Sequence, residues 1–190
     1  NTTQISAVTS EQISAMSSTQ IKQWNASQLA VLDDNQLGAL EQGDLAALSA
    51  SQVTSLSTAQ LTALSASVFS AIGADALQSM SNGQIQALLP AQIAALSDAK
   101  IQSFSGTQLG SMSWSQVAAI QPSGITALNE SQFASFTSTQ VPGFTSSQLV
   151  AMETQDLVSL SDAALRAFSA DQVAALTSDQ LKELTPRQMS

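Results

Sequence analysis

The chain has 190 residues, of which only 10% are charged, and 14 acidic against 5 basic side chains leave a net charge of −9. It contains no Cys, His or Tyr, which removes disulfides, Cys/His zinc sites and any Ser–His–Asp triad. An acidic surface of this kind is a poor match for nucleic acid or anionic lipid, and no stretch approaches the roughly 18 apolar residues of a membrane-spanning helix.

From Asn1 onward the chain reads as a single eight-residue unit, [Ser/Thr]-x-x-Gln-Φ-x-[Ala/Ser]-Φ, with Φ a large apolar residue. It repeats without insertion through 23 full copies (1–184) and a partial copy (185–190), so residues 1–190 form one continuous array. The fifth and eighth positions are apolar in every copy, from Ile5 and Val8 to Leu184 and Met189. Among the large apolar residues only Val31, Val68, Leu89, Trp114, Val150 and Val158 stand outside those positions.

The first position carries Ser or Thr in 15 of 24 copies, and Asn or Asp in four more (Asn1, Asn25, Asp33, Asn129). These side chains accept a hydrogen bond from an orphan N–H at a helix start. Gln follows three residues later in 17 of 24 copies, which completes a capping box. The apolar eighth residue then falls at N′ and the next fifth residue at N4, the spacing of a hydrophobic staple. Pro90, Pro122 and Pro186 all occupy the second position, N1, where a missing N–H costs nothing. A helix start is therefore written every eight residues.

A single long helix is the natural rival. Eight residues over two turns is 4.0 per turn, so the apolar stripe would drift about 80° per repeat around a 3.6-residue helix. A β-solenoid would need alternation and β-branched strands, which Φ-x-Ala-Φ with abundant Ala and Gln does not provide. The expected fold is all-α: an α-solenoid or superhelical rod of very short capped helices, one per repeat, each six or seven residues and about 10 Å long. Such helices are unstable alone and must draw stability from neighbours. The small seventh residue, Ala, Ser or Gly in 20 of 23 full copies, lets helices approach closely.

Departures follow in chain order. Trp24 sits at an eighth position and belongs to the core. Asp33, Asp34, Glu41 and Asp44 form the densest acidic cluster but lack calcium-loop spacing, so they read as a solvated face. Val68 and Gly73 remove the capping boxes of repeats 65–72 and 73–80. Trp114 is the one large aromatic at an exposed position and the only candidate binding anchor. Gln121-Pro122-Ser123-Gly124 is a weak cap, and Pro142 and Gly143 fall inside a helical window that both disfavour. Asn1, Asn25 and Asn129 match the glycosylation acceptor, a weak signal in a chain so rich in Ser and Thr. No catalytic residue, cofactor site or metal site is indicated.

Segments such as Gln172-Val173-Ala174-Ala175-Leu176-Thr177-Ser178-Asp179-Gln180-Leu181 and Ser57-Thr58-Ala59-Gln60-Leu61-Thr62-Ala63-Leu64 resemble the T-x-x-Q-[VIL]-x-A-L octapeptide arrays of large bacterial surface and secreted proteins, which are adhesin-like or filament-like. The resemblance covers the whole chain. It implies an extracellular, cell-surface, non-enzymatic structural segment: a stalk or spacer, or a self-assembling filament subunit. The alternative is an adhesin-type module that recognises protein or glycan. Asn1 already stands in repeat phase with no signal peptide before it, and neither Asn1–Val8 nor Thr185–Ser190 looks like a polar capping repeat. The ends are expected to continue into further repeats or to stack on another copy.

Overall fold

A computed structural model describes residues 1–185 and Gln188. Pro186 and Met189, an N1 proline and a core position of the partial repeat, lie outside the described residues. The described residues are helical, with 22 short α-helices and one 3-10 helix and no strand. None is long and apolar enough to cross a membrane.

The helices begin where the octad places them. Ser49 accepts a hydrogen bond from the Gln52 N–H at 3.4 Å, and the Gln52 side chain accepts from the Ser49 N–H at 2.8 Å. Pro90 and Pro122 both stand in the first helical turn. The helices are shorter than the sequence suggests, four to six residues long: Ala26–Leu29 and Glu130–Phe133 are among the shortest, Gln42–Ala47 among the longest. Their ends are set by extended backbone. Leu48 (φ −70°, ψ 140°) and Ser49 (φ −74°, ψ 162°) follow each other in the β region, and that pair turns the corner. No described residue has a positive φ, so no corner depends on a left-handed glycine cap.

The chain forms two compact units, Asn1–Leu96 and Ser97–Ser190. In the first, Thr2–Ser6 packs on Ala26–Leu29, Ser10–Ser14 on Asp34–Gly38, and Ser18–Lys22 on Gln42–Ala47. In the second, Asp98–Gln102 packs on Pro122–Thr126 and Gly106–Ser111 on Glu130–Phe133. The rule is the same in both. A helix stacks on the one three repeats along, so each unit is a helical solenoid with three helices per turn.

Three helices per turn put the apolar pair inside. Fifth-position residues such as Leu37, Val53, Leu61, Phe133 and Leu149 are fully buried, and eighth-position residues such as Leu56 and Ile120 nearly so. Burying one Leu, Ile or Phe side chain stabilises by about 1.5–3 kcal/mol. The core of each unit is thus one short apolar pair per octad, joined end to end. Trp24 is buried within it at 7% exposure. Phe136 centres an aromatic cluster, 5.8 Å from the Phe133 ring and 5.1 Å, edge-on, from Phe144.

The seventh residue is small because it rests on the backbone of the helix one turn away. Ser55 Oγ donates to the Ala26 carbonyl at 3.4 Å. A Cβ on the seventh-position Gly143 would lie 2.8 Å from the Trp114 carbonyl carbon. Repeat 137–144 breaks the expectation of one α-helix per repeat. Pro142 lacks an N–H and Gly143 weakens helix, and only the 3-10 helix Val141–Gly143 forms. Its stacking survives. Val141 and Phe144 remain buried, and the segment packs on Trp114–Ala119.

Candidate functional site

The feature that recurs through both units is a glutamine at the fourth octad position, buried, and bonded at both ends of its amide. The Oε1 of Gln60 accepts the N–H of its own N-cap, Ser57, at 2.9 Å. Its Nε2 donates to the carbonyls of Leu29 and Leu32, at 3.1 and 2.9 Å. Those carbonyls close the helix end directly beneath in the preceding turn, 31 and 28 residues back. Helix C-terminal carbonyls have no intrahelical donor of their own. One amide therefore starts one helix and finishes another.

The pattern repeats almost without variation. In the first unit Gln92 donates to Leu61 and Leu64 at 2.8 and 2.9 Å, and Gln84 to Thr54 and Leu56 at 3.1 and 2.9 Å. In the second, Gln148 reaches Val117 and Ile120 at 2.8 and 2.7 Å, and Gln180 reaches Leu149 and Met152 at 2.7 and 2.8 Å. Gln140 keeps its clamp on Leu109 and Met112 although its own repeat has lost the α-helix. Gln92, Gln148 and Gln140 are 0–2% exposed, so these bonds are made out of water, where an unpaired partner would cost about 1–3 kcal/mol.

Val68 and Ala76, in consecutive repeats of the first unit, and Asp156 and Ala164, in consecutive repeats of the second, replace the fourth-position Gln and have no amide to make the clamp. The loss of capping boxes at 65–80 follows the sequence: Ser65 still accepts from the Val68 N–H at 3.3 Å, while Gly73 makes no side-chain cap. Its second consequence, an unclamped seam between turns, involves carbonyls far away in sequence.

Among the substitutes, Asp156 has a pKa clearly raised by its surroundings. It is 5% exposed, and burial, with the carboxylates of Glu153 and Glu130 adding to it, pushes its pKa from 3.8 to about 6. A raised carboxyl pKa means the folded chain binds more protons than the unfolded one between pH 4 and 6, so stability falls as pH rises through that window. Asp156→Asn removes the ionisation. It is expected to raise the unfolding free energy by about 1–2 kcal/mol at pH 7.5, less than full linkage because solvent screens part of the field, and by almost nothing below the unfolded pKa of 3.8. Urea denaturation at the two pH values checks both halves.

The other residues singled out in the sequence do not converge. Asp33 caps its helix, accepting from the Gln36 N–H at 2.8 Å, and Asp44 accepts from the Glu41 N–H at 2.8 Å, so half of the acidic cluster is spent on helix starts. No group of three or more acidic side chains among the described residues is placed to hold a metal ion. Asn1, Asn25 and Asn129 are N-caps, each accepting at 3.0 Å through Oδ1. Trp114 opens the helix Trp114–Ala119 and is 59% exposed, the most exposed large apolar side chain described. A cavity of about 270 Å³ lies at the end of the second unit, lined by Leu165, Phe168, Val173, Leu176, Leu184 and the side chains of Arg166 and Gln188.

Two segments of the chain, residues 37–71 and 149–186, match the ALTTAQ repeat family. One lies in each unit, and both support reading the chain as a repeat protein. The chain matches none of the curated proteins with which it was compared.

Proposed function

We propose that this chain is a non-enzymatic structural protein, an extended solenoid that serves as a stalk or spacer at the bacterial cell surface. The observation that carries this reading is the glutamine clamp. Each added turn of 24 residues brings its own caps, its own apolar pairs and its own bonds to the turn below, so length can grow without new design. The extracellular setting rests on the resemblance to octapeptide arrays of surface proteins, and the acidic, low-charge, cysteine-free composition suits it.

Duplicating one turn, residues 49–72, tests the spacer role directly. Stacked helices lie about 8–10 Å apart. The longest dimension from small-angle scattering is expected to grow by about that amount, with the melting temperature unchanged or raised. A duplicated turn that loops out as disordered chain would defeat the reading.

A second reading, an adhesin-type module for protein or glycan, is favoured by Trp114 alone, whose 59% exposure leaves an indole face open to a ligand. On that reading Trp114→Ala abolishes the response to soluble oligosaccharides in a calorimetric titration and shifts stability by less than about 0.5 kcal/mol. Equal binding by the native chain and the variant removes the anchor.

A further inference from the structure

Within the second unit, two of the three corners of one turn have no glutamine clamp. Gln148 holds Val117 and Ile120, and Gln172, one turn further along, holds Val141 and Phe144 at 2.8 Å each. Between them stand Asp156 and Ala164, both buried. The clamps reach 31 and 28 residues back, and that register assigns Asp156 to the carbonyls of Ile125 and Leu128 and Ala164 to those of Phe133 and Phe136. The first unit has the same two-corner gap between Gln60 and Gln84, filled by Val68 and Ala76, neither of which ionises. The gap in the second unit differs in holding a carboxyl.

That carboxyl is 5% exposed and stands where a glutamine amide would donate. It accepts the backbone N–H of Glu153, whose own side chain makes no cap. Glu153 and Glu130, the latter on the helix Glu130–Phe133 packed against Thr154–Ser159, add negative charge around it. The helix Ser178–Glu183, packed on the other side, carries Asp179, Lys182 and Glu183, with Lys182 paired to Asp179 at 2.8 Å. The helix Pro122–Thr126, to whose end the register assigns Asp156, carries no charge.

We propose that Asp156 is a pH-operated latch on this seam, closed when its carboxyl is protonated and released when it ionises. A protonated carboxyl has one O–H to donate to the Ile125 or Leu128 carbonyl. An ionised one has none, and it sets a buried negative charge against carbonyl oxygens. Ala164 at the next corner offers no bond either, so residues 153–168 are where the turn parts first from the one it stacks on. Burial and the two neighbouring carboxylates raise the carboxyl pKa in the closed state, from 3.8 to about 6. The closed seam therefore holds the proton more tightly than the open one, and closure weakens as pH rises through that window. The latch belongs to the clamp and not to the stalk role, which the turn duplication tests separately.

Hydrogen exchange of the whole 190-residue chain, read by mass spectrometry at pH 4 and 7.5 and expressed as protection relative to free peptide, tests it. In the native chain the amides of 153–168 are expected to lose protection about tenfold between the two pH values, while those of the first-unit gap, 65–80, keep theirs. Asp156→Gln restores both donors. It is expected to hold protection level with pH, about tenfold above the native chain at pH 7.5. Should the longer side chain prevent folding, Asp156→Asn, the size of the native residue, takes its place with the same expected result. Native protection at 153–168 that does not change with pH, an equal loss at 65–80, or a loss that persists in the folded amide variant each overturns the proposal.

Discussion

Gly143→Ala is expected to be among the most damaging single-atom-group changes available in this chain, lowering unfolding free energy by about 3 kcal/mol. Gly143 is the seventh residue of repeat 137–144, and a Cβ there would run into the carbonyl group of Trp114, with its carbonyl carbon 2.8 Å away. Backbone cannot rotate aside as a side chain can. The turn at Val141–Gly143 would have to lift from the helix Trp114–Ala119, and Val141 and Phe144, now buried, would be pulled with it. Gly143 has no positive φ, so the effect is one of space and not of backbone strain. Gly38→Ala is the matched control. Nothing lies within 4 Å of a Cβ at Gly38, which ends the helix Asp34–Gly38, and there Ala should be neutral or stabilise by up to about 1 kcal/mol. Urea denaturation of the two variants beside the native chain separates them, and equal midpoints would refute the close approach.

The positions of these helices were legible because the caps, the N1 prolines and the apolar pairs are local. Ser49, Gln52, Val53 and Leu56 announce one helix within eight residues, and the structure puts each in the expected role. The stacking partner was not legible in the same way. Which helix meets which depends on the corner made by residues such as Leu48 and Ser49, and their φ and ψ lie in a broad region that residue type does not narrow. Small differences there decide between two, three or four helices per turn. The seventh-position rule was readable as close approach, but not that Ser55 would meet Ala26, 29 residues away.

The second role of glutamine did leave a signal. A capping box is satisfied by Glu as well as Gln, yet the fourth position holds Gln in 17 of 24 copies, never Glu, and a carboxylate only at Asp44 and Asp156. A surface cap gives no reason for that preference. A buried amide with two carbonyl acceptors does, because a carboxylate has no donor to offer them. The 3-10 turn at 141–143 was signalled too, by Pro142 and Gly143, but the sequence gives no hint that Gln140 would hold its clamp without a helix behind it.

Gln148→Glu is expected to be the second large effect, and its pH dependence identifies the cause. Gln148 is 1% exposed, accepts the Thr145 N–H at 2.8 Å and donates to Val117 and Ile120 at 2.8 and 2.7 Å. Glu preserves the volume and the cap. It removes both donors and sets a carboxylate against two carbonyl oxygens in a dry interior, which costs about 3–5 kcal/mol at neutral pH, the price of an unpaired buried charge. Such a carboxyl has its folded pKa raised above the unfolded value. The loss is therefore largest above the folded pKa and shrinks as the pH falls toward the unfolded value of about 4.3, where a protonated Glu can return one O–H donor. Gln148→Leu removes the bonds without adding a charge, so its cost should be smaller at neutral pH and flat across the range. Thermal unfolding of the two variants at pH 4.5 and 7.5 decides the matter: parallel behaviour would mean that no buried charge contributes to the loss. Curves that converge at low pH would show that the charge set against the carbonyls causes the extra loss in the Glu variant, and Asp156, at the same octad position with its pKa raised to about 6, is the natural instance of the same conflict.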